Sequence, residues 1–223
     1  MIKVEEFECR RDLVRARLRR FTRKAFQLLP RLDRPCILDV GCGSGIATIE
    51  LAKLCDGQIA ALDIDEHDLN RLDAKIKEAG LSQRVSTLKC SMLDMKFPND
   101  SFDIIWAEGS IAVIGFGKGL QDWARFLRTN GYLVVHDETG SIDEKLRQIT
   151  SCGYDIVEYF VLDQDVWWAE YYAPLQKLIQ EIRPQCAGEP EALALVDQNQ
   201  QEIDMFKVSP ERYHSTFFIM RKR

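Results

Sequence analysis

Apolar positions along the chain follow two rhythms, and the changes between them lay out the predicted elements. Short apolar runs at Cys36–Val40, 58–62, Val85–Lys89, 102–107, 132–136 and Tyr154–Leu162 have strand length. Helical spacing fills most of the gaps. It predicts helices at 46–55, at 120–128 (Leu120, Trp123, Ala124, Leu127) and at 142–152. Another helix carries Leu69, Leu72, Ile76 and Ala79, with Asp65 as N-cap and Gly80 just past its end. Asn130-Gly131 and Gly153 read as breaks before the fifth and sixth strands. Ahead of the first strand, Val14, Leu18, Phe21, Ala25 and Leu28 recur on one helical face, and Pro30 and Pro35 bracket the entry to the sheet.

The order βαβαβαβαβαβ implies an α/β fold, a doubly wound, mostly parallel sheet with helices on both faces. Between the sixth strand and the last apolar segment lie roughly fifty residues, far too many for a hairpin loop. Tyr171, Tyr172, Leu175, Leu178 and Ile179 mark one helix there, 184–190 a break, and 191–206 a second helix. The expected organisation is one domain: a helical cap over 1–34, a core over 35–162, a helical insertion over 163–212 and a last strand in 213–223.

Charge changes this picture in one place. The net charge is −5, yet residues 1–35 hold 11 Lys/Arg against 5 Asp/Glu. Arg11, Arg15, Arg19 and Arg23 follow an i, i+4 rhythm. Such a face can bind nucleic acid or dock against the acidic remainder. Thin aromatic interleaving favours docking, so no nucleic-acid partner is expected. No apolar run reaches membrane-spanning length, and residues 1–6 lack the apolar core of a signal peptide. The seven cysteines form no C-x-x-C pair. Reduced thiols, a cytoplasmic location and no bound metal are therefore expected.

The chemistry concentrates at Leu38-Asp39-Val40-Gly41-Cys42-Gly43-Ser44-Gly45, a strand end, a glycine turn and a helix start. Glycines admit φ > 0 there and let backbone amides approach a ligand. Asp63, at the tip of the next strand, suits the two hydroxyls of a ribose. Nicotinamide and S-adenosylmethionine sites share that feature. With Leu62-Asp63-Ile64-Asp65 and the block from Phe97-Pro98 through Phe102-Asp103-Ile104-Ile105, the chain resembles the class I S-adenosylmethionine-dependent methyltransferases over about residues 35–140.

The resemblance implies a Rossmann-like seven-stranded sheet with an antiparallel last strand. It also implies S-adenosylmethionine as cofactor, S-adenosylhomocysteine as product, and a small-molecule acceptor. Gly41, Gly43 and Gly45 would line the methionine and ribose side, with Asp39 steadying the loop. Asp63 would take the ribose hydroxyls and Ile64 would lie on adenine. Met92 and Leu93 would flank the base, with Ser91 where relatives commonly carry an aspartate. Arg17 or Arg20 would meet the cofactor's carboxylate. Glu108 would lie beside the sulfonium and acceptor, and Glu108 or His136 is the candidate base. Ala107-Glu108-Gly109-Ser110 departs from the Asn/Asp-Pro-Pro-Tyr/Phe signature of base and glutamine methylation. It looks more like the ubiquinone/menaquinone-biosynthesis and sarcosine-type enzymes. Trp167, Trp168, Tyr171 and Tyr172 of the insertion would either cover an apolar or cationic acceptor or pack the insertion. The alternatives are a methyltransferase acting on RNA or protein through the basic helix, and an NAD-type or non-catalytic nucleotide-binding module.

Overall fold

The strand order reverses direction at the first strand, and that reversal places the site. A computed structural model describes residues 3–223. Its strands are β1 (Cys36–Val40), β2 (Gln58–Asp63), β3 (Val85–Lys89), β4 (Phe102–Glu108), β5 (Leu127–Glu138), β6 (Tyr154–Leu162) and β7 (Ser215–Lys222). They form one sheet in the order β3-β2-β1-β4-β5-β7-β6. β1 pairs in parallel with β2 on one side and β4 on the other. Chain progression therefore runs outward both ways, leaving a crevice beyond the ends of β1 and β4. β7 runs antiparallel to β5.

The helices are α1 (Val4–Arg15), α2 (Arg19–Gln27), α3 (Ile46–Leu54), α4 (Glu66–Glu78), α5 (Phe116–Ala124), α6 (Ile142–Ser151), α7 (Gln164–Trp167), α8 (Ala173–Ile182) and α9 (Pro190–Val208). By packing, the described chain divides into two compact units. Arg20–Val161 with Ser215–Arg223 forms the sheet unit. In it, Leu38, Ile105, Leu133 and Phe218 of the sheet pack with Leu120 and Trp123 of α5 and Ile149 of α6. On Trp106 of β4 lies Phe26 of α2, with ring centroids 6.3 Å apart.

Three expectations need correction. The strand–helix alternation is broken between β3 and β4, where residues 90–101 form a connection without a helix. The helix expected over 120–128 is α5, which ends at Ala124, and β5 already begins at Leu127. Asn130 (φ +62) and Gly131 lie inside that strand, beside a register shift against β4. The dipeptide is thus an irregularity within β5 that leaves the pairing to resume, and the apolar residues before it serve the strand. Third, the N-terminal helix changes phase at a 3₁₀ segment, Ala16–Leu18. Three residues per turn rotate the following face, so α2 buries Thr22 and Ala25 and Leu29 beyond it, while Phe21 stays partly exposed.

The second unit joins the described residues up to Arg19 with Leu162–His214. Its core gathers Phe7, Tyr171, Tyr172, Leu175, Ile179, Val196, Ile203 and Phe206. Tyr171 and Tyr172 sit within that core, Tyr172 donating to Glu202 at 3.1 Å. Trp168 stacks on Phe206 at 5.9 Å and keeps 36% of its surface exposed. Several basic side chains of the N-terminal segment pair within their own units. Arg10 meets Glu181 at 2.9 Å and Arg17 meets Glu170 at 3.3 Å. In the sheet unit, Arg23 donates to the buried Glu50 carboxylate and Lys24 lies 4.0 Å over the Phe160 ring. No helix among the described residues is long and apolar enough to cross a membrane.

Candidate functional site

β1 delivers a buried Asp39 and then three glycines whose backbone L-residues avoid. Gly41, Gly43 and Gly45 have φ of +72°, +49° and +81°. They serve different purposes. At Gly45 a Cβ would lie 2.1 Å from Leu72 Cδ1, so α4 packs directly against the backbone that starts α3. At Gly43 the nearest atom would be 3.6 Å away, and the backbone conformation alone calls for glycine. The Gly43 N–H donates to Asp63 Oδ2 at 2.8 Å. Gly41 and Cys42 donate to the Leu62 carbonyl at 2.9 and 3.0 Å. The loop is thus pinned to the end of β2.

Asp63 holds that loop and keeps capacity in reserve. Its Oδ1 accepts from the Asp65 N–H at 3.0 Å and its Oδ2 from Gly43. Each carboxylate oxygen has a second lone-pair site, so two more donors can be received side by side. Asp39 steadies the start of α3: its Oδ2 accepts from the buried Thr48 hydroxyl at 2.6 Å. Cys42 is partly buried and its thiol is pushed up by burial and nearby Asp39, so it stays protonated. Among the described residues no group of three metal-ligating side chains converges.

Beyond β2 and β3 two apolar side chains are left exposed. Ile64 is 69% and Leu93 66% exposed. Ser91, on the same loop as Leu93, accepts the Leu93 N–H on its hydroxyl at 3.2 Å, shaping the turn. Its hydroxyl proton remains available for donation.

Glu108 closes the crevice at the end of β4. Its Oε1 accepts from the Trp106 indole N–H at 2.7 Å, and the buried Thr22 hydroxyl of α2 bonds the same carboxyl. Burial, opposed by these two bonds and reinforced by Asp39, raises Glu108 to about 7. Burial likewise raises Asp39 to about 7, against the Thr48 bond. His136 is the register partner of Glu108 on β5. Its Nε2 lies 2.7 Å from Ser215 Oγ and its ring stacks on Phe217 at 4.3 Å. Burial and Lys145 lower it to about 3, so it is neutral at physiological pH. Glu108 and His136 are register neighbours on adjacent strands; within its own unit Arg17 pairs with Glu170 at 3.3 Å, and Arg20 lies over the Phe21 ring at 4.6 Å.

Thr22 and Trp106 escaped the sequence reading. For Trp106 a signal existed: two residues from Glu108, it shares that face of the strand. Thr22 was hidden by the phase change at the 3₁₀ segment.

The raised carboxyls carry a sign. Their folded-state values exceed the unfolded ones of 4.5 and 3.8, so the folded state binds protons more tightly between about 4 and 7. Their contribution to stability is full below that window and is lost as pH rises through about 7. Urea unfolding of the ligand-free protein is expected to show stability falling from pH 5 to pH 8, with a shallower fall for Glu108→Gln.

Comparison with known proteins gives the following. A family model described as "Methyltransferase domain" matches residues 37–131. The demethylmenaquinone methyltransferase of Bacteroides fragilis is 31% identical over 123 residues, 54% of this chain and 50% of that protein. A sterol 24-C-methyltransferase of Aspergillus fumigatus is 35% identical over 102 residues, 45% of this chain and 27% of that one. The chain thus spans half or less of these curated relatives. Among solved structures, an S-adenosylmethionine-dependent methyltransferase from Geobacter sulfurreducens in complex with S-adenosyl-L-homocysteine shares the fold. Its TM-score is 0.73 at 17% identity, covering 93% of this chain and 90% of that one.

Proposed function

We propose, from the match of residues 37–131 to a methyltransferase-domain model, that this chain transfers a methyl group from S-adenosylmethionine to a small-molecule acceptor. The observation that carries the reading is Asp63: fixed to the glycine loop at 2.8 Å, it retains two adjacent acceptor sites suited to vicinal ribose hydroxyls. Exposed Ile64 and Leu93 supply apolar faces for the adenine, beside Ser91 and Met92. The Gly41–Gly45 turn presents backbone to the remainder of the cofactor.

The cofactor supplies an electrophilic methyl group. The chain supplies position, exclusion of water and, for an acidic acceptor, a place for the proton. Glu108 fits that last task. A carboxylate titrating at about 7 takes up a proton near neutrality and, ionised, orients a polar or cationic acceptor. His136, held neutral against Ser215, shapes the wall beside it. A small acceptor is favoured over RNA because Arg23 is committed to Glu50, Arg17 to Glu170 and Arg10 to Glu181.

The test is methyl transfer from labelled S-adenosylmethionine to fractionated cell extract. Label in the low-molecular-mass fraction is expected, reduced by about 100-fold in Glu108→Gln when the acceptor must lose a proton. Label confined to RNA or protein contradicts the small-molecule assignment.

A further inference from the structure

One side chain ties the turn after β4 to the glycine loop. Ser110 is buried, and its hydroxyl donates at 2.6 Å to the carbonyl of Val40, the last residue of β1. Gly41 follows immediately. A Cβ there would lie 2.5 Å from Ser110 Cβ, 3.0 Å from Ser110 Oγ and 3.5 Å from Met92 Cε. The missing side chain of Gly41 is therefore the space that Ser110 fills. On its other side the same turn is anchored by the Gly109 N–H, which donates to the His136 carbonyl at 2.8 Å. The turn continues into a 3₁₀ segment, Ile111–Val113, whose Ile111 side chain occupies the space left by Gly119, 2.6 Å from a Cβ built there.

We propose that Ser110 is a positioning residue that locks the glycine loop and Glu108 into one geometry. It acts through Val40 and Gly41 on one side and through the backbone next to Glu108 on the other. Its hydroxyl proton is committed to a backbone carbonyl. The inference rests on the functional reading above, because the two elements it joins are those assigned to cofactor and acceptor. It also gives Gly41 a reason distinct from its neighbours: Gly45 makes room for Leu72, Gly43 for a backbone turn, and Gly41 for Ser110.

The experiment is a cycle of Ser110→Ala, Ser110→Gly, Gly41→Ala and the double variant Gly41→Ala/Ser110→Gly. Each is titrated calorimetrically with S-adenosylhomocysteine and unfolded in urea without ligand. Ser110→Ala is expected to weaken binding by the folded protein about fivefold, the scale of one hydrogen bond. A merely structural serine lowers stability and leaves that affinity unchanged. Gly41→Ala is expected to weaken binding by about 100-fold through overlap and backbone strain. Removing the Ser110 Cβ in the same chain recovers at least about tenfold of that loss, the overlap share. If Gly41→Ala fails to fold, folding of the double variant is itself the rescue. Unchanged affinity in Ser110→Ala, or a double variant no better than Gly41→Ala, overturns the lock. Wild-type protein that binds no S-adenosylhomocysteine overturns the functional reading instead. The lock is then judged by unfolding alone, where additive losses contradict it and mutual relief sustains it.

Discussion

Gly45→Ala is expected to destabilise the fold by about 3–4 kcal/mol, the sum of left-handed backbone strain and core overlap. The φ of +81° already disfavours alanine, and its Cβ would lie 2.1 Å from Leu72 Cδ1 and 2.9 Å from Leu72 Cγ. Leu72 is fully buried, so it has nowhere to retreat without moving α4. Gly43→Ala is the matched control. It carries backbone strain alone, with 3.6 Å to its nearest neighbour, and is expected to lose only about 1–2 kcal/mol. Urea unfolding of the pair checks this. Equal losses contradict the assignment of Gly45 to packing.

Asp63→Ala is expected to weaken S-adenosylmethionine binding by about 100- to 1000-fold, the scale of two hydrogen bonds to a charged acceptor. The variant also frees the Gly43 N–H, now held at 2.8 Å, so the glycine loop keeps only its backbone ties to Leu62 at the end of β2. Calorimetric titration of Asp63→Ala beside Asp63→Asn separates the two effects. Asparagine keeps one carbonyl oxygen for the loop and loses the charge-assisted pairing. It is expected to fall between wild type and alanine. Asparagine equal to wild type contradicts a ribose role for the carboxylate.

Much of the candidate site's backbone was legible in the sequence because local rules decide it. The Gly-x-Gly-x-Gly turn, the strand before it and Asp63 at the next strand end are contiguous patterns, and Asp65 caps α4 as its position predicts, accepting from His67 at 2.9 Å. The seven-stranded sheet with its antiparallel last strand was legible through resemblance. What pattern reading missed depended on partners distant in the chain. The Ser110 bond to Val40 spans 70 positions. Thr22 reaches Glu108 because a short 3₁₀ segment rotates α2, and helical periodicity assumes a constant 3.6-residue turn. Asn130-Gly131 resembles a helix stop, yet pairing with β4 holds it within β5. His136 shows a further limit: its residue type suggests proton uptake near neutral pH, whereas burial and Lys145 lower it to about 3, which no residue pattern announces. Glu108 shows the opposite case, a carboxylate brought to about 7 by burial beside an indole.

The most direct measurement is a calorimetric titration of the wild-type protein with S-adenosylmethionine, S-adenosylhomocysteine and NAD. The account predicts saturable binding of the two sulfur ligands and none of NAD. Binding of NAD, or of none of the three, contradicts it.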